Sequence, residues 1–205
     1  ADTIVAGGGN DTINNFLGAD SVDGGAGTDS LVLSGSSFTD LANATDIQLT
    51  NVEIINATNT VGTLNFANQT DGFIINASNN PMTITGSAGA DTITAGSSID
   101  TINGFVGADT VNGGAGSDRL DLTTTSTDLN SAADSQLVNV EEIRLTSTEG
   151  ITLNLGSQSE AFTITGSAGN DSITATNQAD TISGGFGADT IVAGGGNDTI
   201  NNFLG

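Results

Sequence analysis

An aspartate recurs every nine residues in three blocks of the chain, and each is followed two residues later by an aliphatic side chain. The aspartates are Asp2, Asp11, Asp20 and Asp29, then Asp91, Asp100, Asp109 and Asp118, then Asp171, Asp180, Asp189 and Asp198. The aliphatics are Ile4, Ile13, Val22, Leu31, Ile93, Ile102, Val111, Leu120, Ile173, Ile182, Ile191 and Ile200. Ile, Leu and Val fill only 42 of 205 positions, so agreement in all twelve frames is not a matter of composition. Ser or Thr stands between aspartate and aliphatic in eleven frames, with Arg119 the exception. This is the alternation of a half-buried strand, hydroxyl outward and aliphatic inward. Three-residue strands separated by six-residue turns cannot enclose a large globular core, and they predict stacked coils.

Composition agrees. The chain has 29 Gly and one Pro, and a glycine inside a helix costs about 1 kcal/mol. Its aromatics are eight Phe with no Trp or Tyr, which suits a thin interior of small aliphatics. Glycines crowd the turns before the aspartates, notably Gly7, Gly9, Gly25, Gly27, Gly114, Gly116, Gly185, Gly187, Gly194 and Gly196. Cysteine is absent, so no disulfide holds the fold, and no apolar run approaches the length of a membrane span.

The frame Gly24-Gly25-Ala26-Gly27-Thr28-Asp29-Ser30-Leu31-Val32 resembles the calcium-binding nonapeptide of RTX proteins. The intervening segments, with Asn51-Val52-Glu53 and Asn139-Val140-Glu141, resemble those of bacterial surface-layer and large repeat proteins of the same secreted group. The resemblance implies an all-β, right-handed parallel β-roll or β-helix solenoid with Ca2+ bound in its turns. It also implies type I export of an unfolded chain and folding outside the cell, where calcium is plentiful. Nonapeptide blocks at residues 1–32, 86–121 and 166–205 then alternate with longer-coil solenoid linkers at 33–85 and 122–165.

In a two-sided roll one nonapeptide is half a coil, so residues 18 apart stack about 4.8 Å from each other. Asp2 then lies over Asp20, Asp11 over Asp29, Asp91 over Asp109, Asp100 over Asp118, Asp171 over Asp189 and Asp180 over Asp198. A bare stack of like charges repels, whereas a hard divalent cation between them turns repulsion into coordination. Calcium accepts 6–8 oxygens at flexible angles, main-chain carbonyls included, while magnesium demands a near-ideal octahedron. All twelve aspartates and the ten glycines above are therefore the expected metal-site residues. The turns ending at Asp100 and Asp180 keep few glycines and depart from the pattern. Carboxylates outside the frame, including Asp23, Asp121, Asp134, Glu53 and Glu141, read as a solvated face, with the Asn-Val-Glu pair as an alternative structural turn.

Charge points the same way. The 24 carboxylates against two arginines give a net −22, which opposes compaction until neutralised. About ten divalent ions would cancel most of it. Almost no positive charge is available to meet phosphates, which argues against a nucleic-acid partner.

Between the blocks the strands lengthen, through Ile47-Gln48-Leu49, Val52 to Ile55, Thr63 to Phe66, Phe73 to Ile75 and Met82 to Ile84. Ser37 to Leu41 predicts one short hydroxyl-capped helical turn. Residues 120–165 repeat this plan. The two linkers differ by nine residues, so they read as coils of the same solenoid. Residues 1–18 return unchanged as 188–205. That period of 187 residues, roughly ten coils or 50 Å at about 4.8 Å per coil, predicts a tandem array whose partners are copies of itself, with a cell-surface polysaccharide as a further candidate. The carboxylates repeat with the fold, and His, Lys, Cys and Tyr are absent, so the chain reads as non-enzymatic. A surface layer or filament is the first reading, with an adhesin stalk or the secretion region of a toxin or hydrolase as alternatives.

Overall fold

Each Asp-Ser/Thr-aliphatic triplet opens a strand of three to six residues, and each glycine-bearing turn reverses the chain onto the opposite face. A computed structural model describes residues 1–35, 37–58 and 61–204. Among them twenty-one parallel strands alternate strictly between two faces, making a β-solenoid of about eleven turns. One face carries Thr3–Val5, Ser21–Asp23, Leu49–Thr50, Gly62–Asn65, Met82–Thr85, Thr101–Asn103, Arg119–Leu122, Glu142–Leu145, Thr163–Thr165, Thr181–Phe186 and Thr199–Leu204. The other carries Thr12–Asn14, Ser30–Leu33, Ile54–Ala57, Ile74–Asn76, Thr92–Thr94, Thr110–Asn112, Leu137–Val138, Thr152–Asn154, Ser172–Thr174 and Thr190–Val192.

Register follows the nine-residue frame. Ile4 pairs with Val22, Ile13 with Leu31, Ile93 with Val111 and Ile102 with Leu120, 18 residues apart in each case. Linker coils are longer: Val22 pairs with Leu49, Leu31 with Ile55 and Leu120 with Ile143. Their strands nonetheless continue the same ladders, since Ile54–Ala57 is hydrogen-bonded to both Ser30–Leu33 and Ile74–Asn76. The frame aliphatics from Ile13 to Ile182 form the buried column, and Phe16, Phe66 and Phe105 fill it fully buried at the corners. Each fully buried aliphatic contributes roughly 1.5–3 kcal/mol.

Two helices interrupt the ladders. The first, α1 (Ser37–Ala42), packs on Gly62–Asn65, and the second, α2 (Thr127–Asn130), packs on Thr152–Asn154. Among the described residues, neither of those strands has a strand neighbour on the preceding side. An open strand edge needs its backbone groups met or covered, and α2 with the segment leading into it meets them with side chains. Thr152 N–H donates to Thr125 Oγ1 and Asn154 N–H to Asn130 Oδ1, while Asn130 Nδ2 donates to the Thr152 carbonyl. On α1 the Phe38 ring lies so close over Gly62 that a Cβ there would fall 2.6 Å from it. The hydroxyl cap is present on α2, where Ser126 Oγ accepts the Leu129 N–H. Ser36, before α1, lies outside the described residues. Ile47-Gln48-Leu49 is not the expected strand: Asp46–Gln48 is a 3-10 turn with Ile47 82 % exposed, and only Leu49 enters the core.

The strand count corrects the coil count. Thr3–Val5 and Thr190–Val192 are identical in sequence yet lie on opposite faces, because nineteen half-coils separate them. The 187-residue period is nine and a half coils rather than ten.

Candidate metal centre

The strand ladder begins one residue after each frame aspartate, so the aspartate N–H would go unmet without a further acceptor. A carboxylate supplies it. Asp2 N–H donates to Asp20 Oδ1 at 2.7 Å, Asp11 to Asp29 at 2.7 Å, Asp91 to Asp109 at 2.9 Å and Asp100 to Asp118 at 2.7 Å. Asp171 donates likewise to Asp189 at 2.9 Å and Asp180 to Asp198 at 3.0 Å. All six expected pairs are brought together, joined through backbone and side chain rather than carboxylate to carboxylate. Where the preceding coil is a linker, the N–H groups of Phe73, Met82, Ile151 and Phe162 take the same place against Asp91, Asp100, Asp171 and Asp180.

Glu53 and Glu141 belong to this column and not to a solvated face. Glu53 Oε2 accepts the Asp29 N–H at 2.7 Å, and Glu141 Oε2 accepts the Asp118 N–H at 2.8 Å. Ser30 pairs with Ile54, and Arg119 with Glu142, so each glutamate sits at or beside the position an aspartate would fill. On the other edge Gln48 and Gln136 donate their Nε2 to the carbonyls of Asp20 and Asp109. Other out-of-frame carboxylates are also engaged. Asp134 accepts the Ser159 N–H, Asp23 accepts Asn51 Nδ2, and the buried Asp121 pairs with both Arg119 and Arg144.

The second carboxylate oxygen separates the frames. Asp91 Oδ2 accepts the Ser87 N–H at 2.7 Å, Asp171 Oδ2 the Ser167 N–H at 2.6 Å and Asp180 Oδ2 the Thr176 N–H at 3.0 Å, each with the hydroxyl of the same residue on the carboxylate. Leu17 and Val106 serve Asp20 and Asp109 in the same way at 2.8 Å. In Asp11, Asp29, Asp100 and Asp118, by contrast, Oδ2 is buried with no donor. Asp29, Asp100 and Asp118 are 0 % exposed, so water does not meet that oxygen. A buried carboxylate oxygen left unmet costs on the order of 1–3 kcal/mol or more. A bound cation would remove that penalty.

Backbone conformation sets the difference. Four residues before Asp11, Asp29, Asp100 and Asp118 stand Gly7, Gly25, Gly96 and Gly114, all at φ between 95° and 120°. That left-handed conformation turns the local N–H away from the carboxylate, whereas Ser87, Ser167 and Thr176 direct theirs toward it. Packing also demands glycine: a Cβ on Gly25 would lie 1.9 Å from the Gly7 carbonyl oxygen, and one on Gly114 1.8 Å from that of Gly96. The Gly7 and Gly96 carbonyls thus point at the next turn, where they accept the N–H groups of Ala26 and Ala115. The ten glycines expected at the sites all lie at φ of 90° to 150°. Sequence reasoning missed Gly96 as well as Ser87, Ser167 and Thr176; the residue type four before the aspartate was the available signal.

This donor set fits calcium. Carboxylate and main-chain carbonyl oxygens are hard ligands of the kind calcium takes, and among the described residues no three acidic side chains gather at one point. Burial pushes Asp100 and Asp109 up to about 6, against the pull of the N–H groups they accept, with the charges of Asp118 and Asp91 respectively adding to the rise. Burial likewise raises Asp91 and Asp118. Asp20 goes the other way, lowered by the Leu17 and Asp2 N–H groups.

No helix among the described residues is long and apolar enough to cross a membrane. No curated protein and no solved structure matches the chain. A family model does: the RTX calcium-binding nonapeptide repeat matches in four copies over residues 1–31, 85–120 and 163–200, about half of the chain. Those residues carry the stacked aspartate turns described above, and the chain belongs to the RTX calcium-binding nonapeptide repeat family.

Proposed function

We propose that this chain is a calcium-stabilised structural unit of an extracellular array, a surface layer or filament in which stacked coils are the material itself. The observation that carries the reading is the unchanged return of residues 1–18 as 188–205, again as solenoid strands. A solenoid grows by adding coils, so a period that restarts half a coil on can continue the two faces indefinitely. Calcium is the assembly condition. A chain of net −22 resists compaction where calcium is scarce, and the ion gives the buried carboxylate oxygens their missing partner where it is abundant. Asp11, Asp29, Asp100 and Asp118, with the carbonyls of their glycine turns, would hold it. The partner is then a further copy of the same unit.

The half-integral period makes this testable. Successive periods are related by half a turn about the axis and an advance of about 46 Å, from nine and a half coils at about 4.8 Å. Fibre diffraction or electron micrographs of the full-length protein in calcium should show an axial feature near 46 Å and a true repeat near 91 Å. Compact, monodisperse monomers of the full-length protein in millimolar calcium would overturn the reading.

A further inference from the structure

The frames are not equivalent, although their aspartates share one spacing. We propose that the residue four places before each frame aspartate decides whether its turn takes calcium: a left-handed glycine there makes a calcium turn, and Ser, Thr or Phe makes a turn closed by its own N–H that takes none. This rests on the calcium reading above and goes beyond it by excluding several aspartates that share the family spacing.

Three observations converge. Turns with the glycine leave a buried oxygen without a donor at Asp11, Asp29, Asp100 and Asp118. Turns without it supply that oxygen from Ser87, Ser167, Thr176, Leu17 or Val106. The division also cuts across overall glycine content. Ala95-Gly96-Ser97-Ser98-Ile99-Asp100 has a single glycine yet leaves Asp100 Oδ2 unmet, while Gly86-Ser87-Ala88-Gly89-Ala90-Asp91 has two and closes Asp91 completely. In the Phe turns, Phe16 and Phe105 stand at the deciding position with 0 % exposure, filling the interior.

An ion needs oxygens from two stacked turns, since one turn offers a single orphaned oxygen and its own carbonyls. Two stacks have glycine turns on both sides: the turn ending at Asp11 on that ending at Asp29, and the turn ending at Asp100 on that ending at Asp118. The glycine turns ending at Asp189 and Asp198 stack instead on the closed turns of Asp171 and Asp180. Residues 1–205 therefore hold two ions in complete sites.

Calcium per chain, counted by native mass spectrometry and by equilibrium dialysis, tests this. The chain should bind two ions tightly. Asp29→Asn and Asp118→Asn should each lose one, and Asp91→Asn should keep both. Thr176→Gly supplies the left-handed glycine opposite the turn ending at Asp198, reproducing the pattern before Asp100, and should raise the count to three. Loss of an ion in Asp91→Asn, or a count still at two in Thr176→Gly, would overturn the rule while leaving calcium binding intact. No bound calcium in the unaltered chain would overturn the calcium reading itself.

Discussion

A buried carboxylate survives only if both its oxygens are met, and in this chain the two are met by different means. Oδ1 takes the N–H of the coil above, while Oδ2 takes an N–H of its own turn at Asp20, Asp91, Asp109, Asp171 and Asp180. It has no protein donor at Asp11, Asp29, Asp100 and Asp118, where we propose an ion. Without calcium the burden falls on protons. Asp100 and Asp109 sit at about 6 in the fold against 3.8 outside it, and Asp91 and Asp118 are raised too, so the folded chain binds more protons than the unfolded one in that window. Stability from this source is full below about 3.8 and is lost as pH rises through about 6. Asp20, lowered, opposes it. In calcium-free buffer the β circular dichroism signal should therefore grow as pH falls from 7 to 5; a signal that shrinks would contradict the burial of these aspartates. The pairing of the aspartates was legible because the spacing of 18 is written in the sequence, but that Oδ1 meets a backbone N–H and not a second carboxylate was not. The fate of Oδ2 was not, because it depends on the sign of one φ angle.

At the level of strands and helices, the linkers show where periodic reasoning stops. Their strands were readable as short alternating runs, and the helix at Ser37 as a turn. What the helices do was not readable, since covering the edges of Gly62–Asn65 and Thr152–Asn154 depends on which ladder is broken. Ile47 looked like an inward strand residue and is exposed, because the capping of Thr45 by Gln48 bends the chain there. Glu53 and Glu141 were hidden for a related reason: longer linker coils move them off the nine-residue count while returning them to the same column. Glu53→Ala removes a charged acceptor from the Asp29 N–H and should cost about 1.5–3 kcal/mol. Glu149→Ala, at an exposed turn, should stay within about 0.5 kcal/mol. Denaturant unfolding of both variants in calcium checks this, and equal effects would return Glu53 to the solvated surface.

Across the whole molecule, one structural column joins all the coils, and charge decides whether it forms. The two arginines are both spent on Asp121, so no cationic side chain is left to balance the stacked aspartates. The hydrophobic column is a single layer of aliphatics with Phe at the corners, too thin to override that repulsion by area alone. On the calcium reading proposed above, the cation is a structural component of the solenoid, with folding and binding one event. Far-ultraviolet circular dichroism at neutral pH, read while calcium is titrated into chelator-treated chain, tests that claim most directly. The account predicts a weak β signal in chelator, a cooperative rise as calcium is added, and a much smaller response to magnesium at the same concentration. A full β spectrum in excess chelator, unchanged by calcium, would contradict it.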